Sequence, residues 1–234
     1  MTLSRPSRRN AMTPAMWRGL AAIGKSLPPA VRVVVLRGDG PSFSSGIDLR
    51  LLSGQEPAAE AIPSPADPGF EDAIASYQEG FAWLRSPSLV SVAAVRGHAI
   101  GAGFQLALGC DLRVLADDAV LCMKEPSLGL VPDLMGTKPL VDIVGLPRAL
   151  ELCLTGRSVP AAEAAQLRLA ELVVPASELD GAVADLVAAL LAVDPATARA
   201  TKELLAQAPG NTLAQQAAAE RRTQAALLRG RISQ

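Results

Sequence analysis

The residues best able to do chemistry in this 234-residue chain fall in three short segments. Met123-Lys124-Glu125-Pro126-Ser127-Leu128-Gly129-Leu130-Val131-Pro132-Asp133, followed by Gly136-Thr137-Lys138-Pro139, holds two carboxylates eight positions apart in an irregular stretch after a strand. Loops set by a rigid scaffold are where acid and base groups work. In the second segment, Val92 to Val95 reads as a strand, Gly97-His98-Ala99-Ile100-Gly101-Ala102-Gly103 as a glycine-rich turn, and Phe104-Gln105-Leu106-Ala107-Leu108 as a helix. Free N–H groups and the positive end of a helix dipole would then lie at Ala102 and Gly103, where developing negative charge is stabilised. The third runs from a buried strand, Val33 to Leu36, through Arg37-Gly38 to Phe43-Ser44-Ser45-Gly46-Ile47-Asp48-Leu49, whose small residues let a ligand approach the backbone.

Each segment alone also has a plainer reading. Asp48 would cap a helix, Glu125 and Asp133 would be solvated loop charges, and Thr137 would cap the next helix. Gly101-Ala102-Gly103 begins like a dinucleotide fingerprint, but Leu106 stands at its third glycine and five residues separate it from the strand. Ser44 and Ser45 lack the GxSxG nucleophile elbow. The single histidine, His98, lies in a strand-to-loop connection and is read as non-catalytic.

The elements that must position these groups alternate. Short apolar runs at Val33 to Leu36, Val90 to Val95, Leu112 to Ala116, Val120 to Met123 and Leu172 to Val174 read as buried strands. Helical segments at Thr13 to Ser26, Phe104 to Leu108 and Arg148 to Leu154 lie between them, so the expected class is α/β. From Gly181 the spacing is helical, with Val183, Leu186, Val187, Leu190 and Leu191, then a second helix from Ala196 to Ala208 and an Ala-rich third. Ser53 to Phe70, with four prolines, is expected to be a mobile surface loop.

Half of the residues are hydrophobic and only 3% aromatic, so Ala, Leu and Val must build the core. A net charge of -1 offers no basic field for nucleic acid. No uncharged run approaches the roughly 20 residues of a membrane span, and the N-terminus lacks the apolar stretch of a signal peptide. Three cysteines without a CxxC pair predict neither a disulfide framework nor a zinc site and suit a reducing cytoplasm.

In order and combination the three segments resemble those of the crotonase, or enoyl-CoA hydratase/isomerase, family. Arg5-Pro6-Ser7-Arg8-Arg9-Asn10-Ala11 resembles its RPxxxNA element, and Cys110-Asp111-Leu112-Arg113, Leu154-Thr155-Gly156-Arg157 and Ala200-Thr201-Lys202 follow its patterns. The resemblance implies a ClpP/crotonase spiral of β-β-α units over residues 1–180 and a C-terminal helical trimerisation region over 181–234. It implies an acyl-CoA substrate, no cofactor beyond the coenzyme A of that substrate, a homotrimer or dimer of trimers, and a cytoplasmic location. It maps an oxyanion hole onto the backbone N–H groups of Ile47 and Ala102, and substrate or CoA contacts onto Arg8, Ser44, Ser45, Gly46, Asp48 and Gly101.

Glu125 matches one of the two glutamates of family hydratases; the other falls at Gln105, which has neither a charge nor a proton to exchange. The catalytic set is therefore expected to be Glu125 as main base, Asp133 as auxiliary and Gln105, with isomerase-like proton transfer favoured. The alternatives are a hydratase using Glu125 and Asp133, and an acyl-CoA binder without turnover. Two departures from the family pattern are expected: Met1 to Ser4 supply only the end of a first strand, and Arg231-Ile232-Ser233-Gln234 stands where relatives continue into a basic helix.

Overall fold

A computed structural model describes residues 1–53 and 62–232. Part of the stretch expected as a mobile loop, residues 54–61, lies outside the described residues. Five strands, β1 (Thr2–Leu3), β2 (Val33–Gly38), β3 (Val90–Val95), β5 (Leu112–Ala116) and β8 (Leu172–Val174), form one all-parallel sheet in the order β1-β2-β3-β5-β8. A second sheet joins β4 (His98–Ile100), β6 (Val120–Cys122) and β7 (Val159–Pro160), parallel between β4 and β6 and antiparallel between β6 and β7. The first strand is thus present but two residues long.

Two consecutive units repeat one pattern. Strand β3 in the first sheet is followed by β4 in the second and by helix α3 (Ala102–Gly109); β5 is followed by β6 and, after an irregular turn, by α4 (Thr137–Val144). Strand β3 is central in the sheet, with Val92 in register with Val35 and Leu112, and helices cover both of its faces. That accounts for a run that is apolar except at Ser91.

One face of the main sheet packs on α1 (Pro14–Ser26), α2 (Phe70–Ala82) and α3, in a core that contains Trp17, Phe81, Leu84 and Phe104. Thr13 caps α1 by accepting from Met16 N, and Pro14 occupies its first turn. Helix α4 begins without the expected Thr137 cap: Thr137 is its first residue and Gly136 takes the cap position with no side chain to offer.

The opposite face, Val92, Ala94, Val114 and Ala116, is sealed by Leu179 and Val183 of α7 (Leu179–Ala192). Helix α7, which straddles the expected boundary at 180–181, therefore shares the sheet's core. Helix α8 (Pro195–Gln207) is pinned back by Lys202, whose Nζ donates to Ser86 O, Leu89 O and Asp111 Oδ2 at 2.8, 2.7 and 2.6 Å. It leads to α9 (Leu213–Ile232). Helices α5 (Leu146–Thr155) and α6 (Ala161–Gln166) flank the second sheet's β7.

Candidate active site

Two glycine loops, one after β2 and one after β4, are brought together by backbone bonds. Ser44 bridges to Ala99 in parallel, with Ser44 N donating to His98 O and Ile100 N donating to Ser44 O at 2.8 and 3.0 Å. Ile47 bridges to Met12 in the same way, and there Met12 N donates to Gly46 O and Asp48 N to Met12 O. In that pattern the N–H of Ile47 itself points away from Met12.

Glycine is required where the loops touch. At Gly46 (φ +92°) a Cβ would lie 2.7 Å from Ile100 O and 3.8 Å from Ala102 N; at Gly103 it would lie 2.7 Å from Ser44 Cβ. The N–H groups of Ile47 and Ala102 have no acceptor among the described residues, and Ala102 opens α3, at the positive end of its dipole. Both residues line a cavity of about 490 Å³.

Glu125 enters the same cavity from the turn after β6. Its carboxyl lies against Gly101 (φ +50°), where a Cβ would stand 3.2 Å from Oε1. The side chain is only slightly exposed, Oε1 accepts from Gln105 Nε2 at 2.6 Å, and Oε2 is buried with no hydrogen-bond partner among the described residues. Burial raises the pKa of Glu125 and the nearby Asp133 adds to the rise, while its own backbone N–H and the Gln105 amide oppose it.

Asp133 lines the cavity at its solvent-exposed rim, and partial desolvation raises its pKa too. Gln78 of α2 fixes the segment by donating to Asp133 O at 2.7 Å. Gln105 is buried beneath the wall and outside the cavity lining.

The remaining expected site residues divide. Ser45, Gly46 and Gly101 line the cavity. Ser44 does not: it is fully buried, its Oγ donating to Asn10 O at 2.8 Å and accepting from Gly46 N. Asp48 is also outside the lining. It is buried between Arg5 and Arg50 at 3.1 and 2.7 Å and caps the turn Leu49–Leu51, and the Arg50 hydrogen bonds hold its carboxyl well below the usual range. Arg8 is exposed beside the site, its carbonyl accepting from Ser45 Oγ at 3.3 Å. His98 is exposed outside the cavity with Nδ1 3.2 Å from Ser42 Oγ.

The sequence reading missed three contributors. Asn10 is fully buried in a left-handed conformation (φ +55°); it donates to Asp39 O and Ser42 O and accepts from Arg5 N, so it organises the first loop from below. Its place in the quoted Arg5 to Ala11 element was the available signal. Among the described residues, Lys124 is the one basic residue in the cavity lining. Trp17, Phe70, Ile74, Leu130, Val131 and Leu134 give the cavity an apolar wall suited to a hydrocarbon chain. Among the described residues no His, Cys, Asp and Glu group could hold a metal ion, and no helix is long and apolar enough to cross a membrane.

Comparison with known proteins identifies the family and the fold. The family model for enoyl-CoA hydratase/isomerase matches residues 1–231. A Thermobifida fusca YX protein, provisionally assigned as an enoyl-CoA hydratase and crystallised in complex with CoA, is 63% identical, with a TM-score of 0.96 over 100% of this chain and 90% of that one. The peroxisomal Delta(3,5)-Delta(2,4)-dienoyl-CoA isomerase of Arabidopsis thaliana is 32% identical over 215 residues, 88% of this chain and 76% of its own. The hydroxycinnamoyl-CoA hydratase-lyase of Pseudomonas fluorescens is 30% identical over 204 residues, 86% and 71% respectively.

Proposed function

The chain belongs to the enoyl-CoA hydratase/isomerase family, acting on acyl-CoA thioesters, and from that premise we propose that it shifts an acyl double bond by proton transfer through Glu125. The observation that carries this reading is the buried carboxylate over Gly101, one oxygen engaged by Gln105 and the other without a protein partner among the described residues. As a base, Glu125 takes a proton from C2 of a 3-enoyl-CoA. The C–H electron pair moves into the thioester, placing charge on its oxygen, and the same carboxyl returns the proton at C4, so the C3–C4 double bond becomes C2–C3 with no atom gained or lost.

The thioester oxygen is assigned to the N–H groups of Ile47 and Ala102. Loss of one such donor costs about 3 kcal/mol of transition-state stabilisation. A carboxyl whose pKa is raised by burial suits both halves of the relay, because it must accept and then surrender the proton near working pH. The proposal further assigns CoA contacts to Arg8 and Ser45 and expects a cytoplasmic homotrimer or dimer of trimers.

The test is incubation with a 3-enoyl-CoA while the conjugated thioester is followed spectroscopically. Conjugation by the native enzyme and its loss in Glu125→Gln are expected; no conjugation, or full turnover by the variant, overturns the reading. A second reading, water addition to a 2-enoyl-CoA with Asp133 as the partner acid, is favoured by Asp133 lining the same cavity with a raised pKa. Incorporation of labelled water into a 3-hydroxyacyl product distinguishes it.

A further inference from the structure

The side chain of Gln105 lies outside the cavity lining formed by the described residues, yet its hydrogen bonds converge on the Glu125 carboxylate and the turn behind it. Its Oε1 accepts from two backbone N–H groups, Leu134 at 2.8 Å and Gly136 at 3.2 Å, and its Nε2 donates to Glu125 Oε1 at 2.6 Å. The two N–H groups flank Met135, whose φ of +66° is left-handed. That alternation aims neighbouring N–H groups at one point, a nest that takes an oxygen and excludes an N–H. The nest therefore fixes the amide's orientation: the reversed amide would set a donor against two donors and an oxygen against a carboxylate.

Gly136 is part of the device, since a Cβ there would stand 2.6 Å from Gln105 Cγ. Gln105 is itself 1% exposed and cannot swing into solvent. We propose that Gln105 is a positioning residue: anchored by the 134–136 nest, it occupies one oxygen of Glu125 with a fixed donor that favours the charged carboxylate, so that Glu125 presents only its other oxygen to substrate. This rests on Glu125 as the base of the proposed reaction and adds what keeps that base ready inside an apolar wall. A donor at 2.6 Å stabilises the charged form against the desolvation that opposes it.

Two replacements separate the nest from the donor. Gln105→Glu keeps an oxygen for Leu134 and Gly136 but removes the donor toward Glu125, and two carboxyl oxygens that close must share a proton. Gln105→Met removes both functions in a similar volume. The measurements are a carbon-13 titration of the Glu125 carboxyl and the pH profile of kcat and KM for 3-enoyl-CoA conjugation. In both variants we expect Glu125 to titrate at least about one pH unit higher, with kcat on the acidic limb falling about tenfold at fixed pH and KM changed less than about twofold. A Glu125 titration unmoved in both variants overturns the inference, as does a loss confined to KM. If the native protein shows no conjugation while the Glu125 titration still moves, the isomerase reading fails and the positioning role stands.

Discussion

Gly103→Ala sets two effects of opposite sign against each other. Gly103 lies in the first turn of α3, where alanine is intrinsically better than glycine by up to about 1 kcal/mol. The added methyl, however, would lie 2.7 Å from Ser44 Cβ and 2.8 Å from Ser44 O, where ordinary contact begins near 3.4 Å, so the chains must part by about 0.7 Å. Overpacking of that kind costs about 1–3 kcal/mol, which exceeds or cancels the helical gain. Stability should thus fall by no more than about 2 kcal/mol, while function suffers more. Ser44 holds Gly46 N and Asn10 O through its hydroxyl, so moving it moves the loop that carries the Ile47 N–H. A displacement approaching 1 Å at a reacting group can cost on the order of 100-fold in rate.

The assay is kcat for 3-enoyl-CoA conjugation alongside a urea melt, with Gly19→Ala as control. Gly19 is an exposed α1 glycine whose Cβ would meet nothing within 4 Å, so it should gain up to about 1 kcal/mol at unchanged kcat. A folded Gly103→Ala enzyme with native kcat would refute the claim that contact between the two loops sets the oxyanion geometry.

Asp48→Asn should cost about 1–3 kcal/mol in a urea melt at pH 7, because it removes the acceptor that Arg5 and Arg50 share. The folded pKa of Asp48 is depressed, so its contribution is complete above the unfolded value of about 4 and disappears as pH falls below it; the difference between native and variant melts should shrink between pH 5 and pH 3, by rough count from those pKa values. Lys202→Met should lower stability by about 2–4 kcal/mol, since Asp111 is left partly buried without its cation and two carbonyls lose a donor. For native activity, the raised pKa of Glu125 places the acidic limb of kcat/KM above the ordinary glutamate value of about 4.3; a limb at or below that value in a kcat/KM–pH profile contradicts the desolvated carboxylate.

Strands were legible before any coordinates where packing on both faces of the sheet leaves mostly apolar residues to write them with: Val90–Val95 and Leu112–Ala116 fall where the runs predict, as does the short edge strand Leu172–Val174. Helix α2 was not, since Phe70–Ala82 follows a proline-rich stretch and its charged face blurs the period. Strand β7 is two residues whose extended state comes only from pairing with β6. At the site, the residue types announced a glycine loop and a helix start, but the pairing of Ile47 with Ala102 came from resemblance. The direction of an amide is a tertiary fact, so Gln105 could be read as a missing acid and not as the donor to Glu125.

The proposed oxyanion pair, the N–H groups of Ile47 and Ala102, has a simple geometric basis in the Ser44–Ala99 bridge. Ile47 lies three residues beyond Ser44, and Ala102 three residues beyond Ala99. Paired chains running parallel from one bridge reach the same level after equal steps, so the repeat that stacks β2's loop on β4 also brings the two amides level. Each loop then needs a left-handed glycine one residue before its donor, Gly46 with φ +92° and Gly101 with φ +50°, to turn the next N–H out of the backbone ladder and toward the cavity. The side chains at 47 and 102 contribute no donor under this scheme, although Ala102 is buried in the core, so the constraint falls on loop length. Removing one residue between 44 and 47 would leave the bridge intact and carry the donor out of level with Ala102, which makes the count of residues, more than their chemistry, the feature that this oxyanion pair depends on.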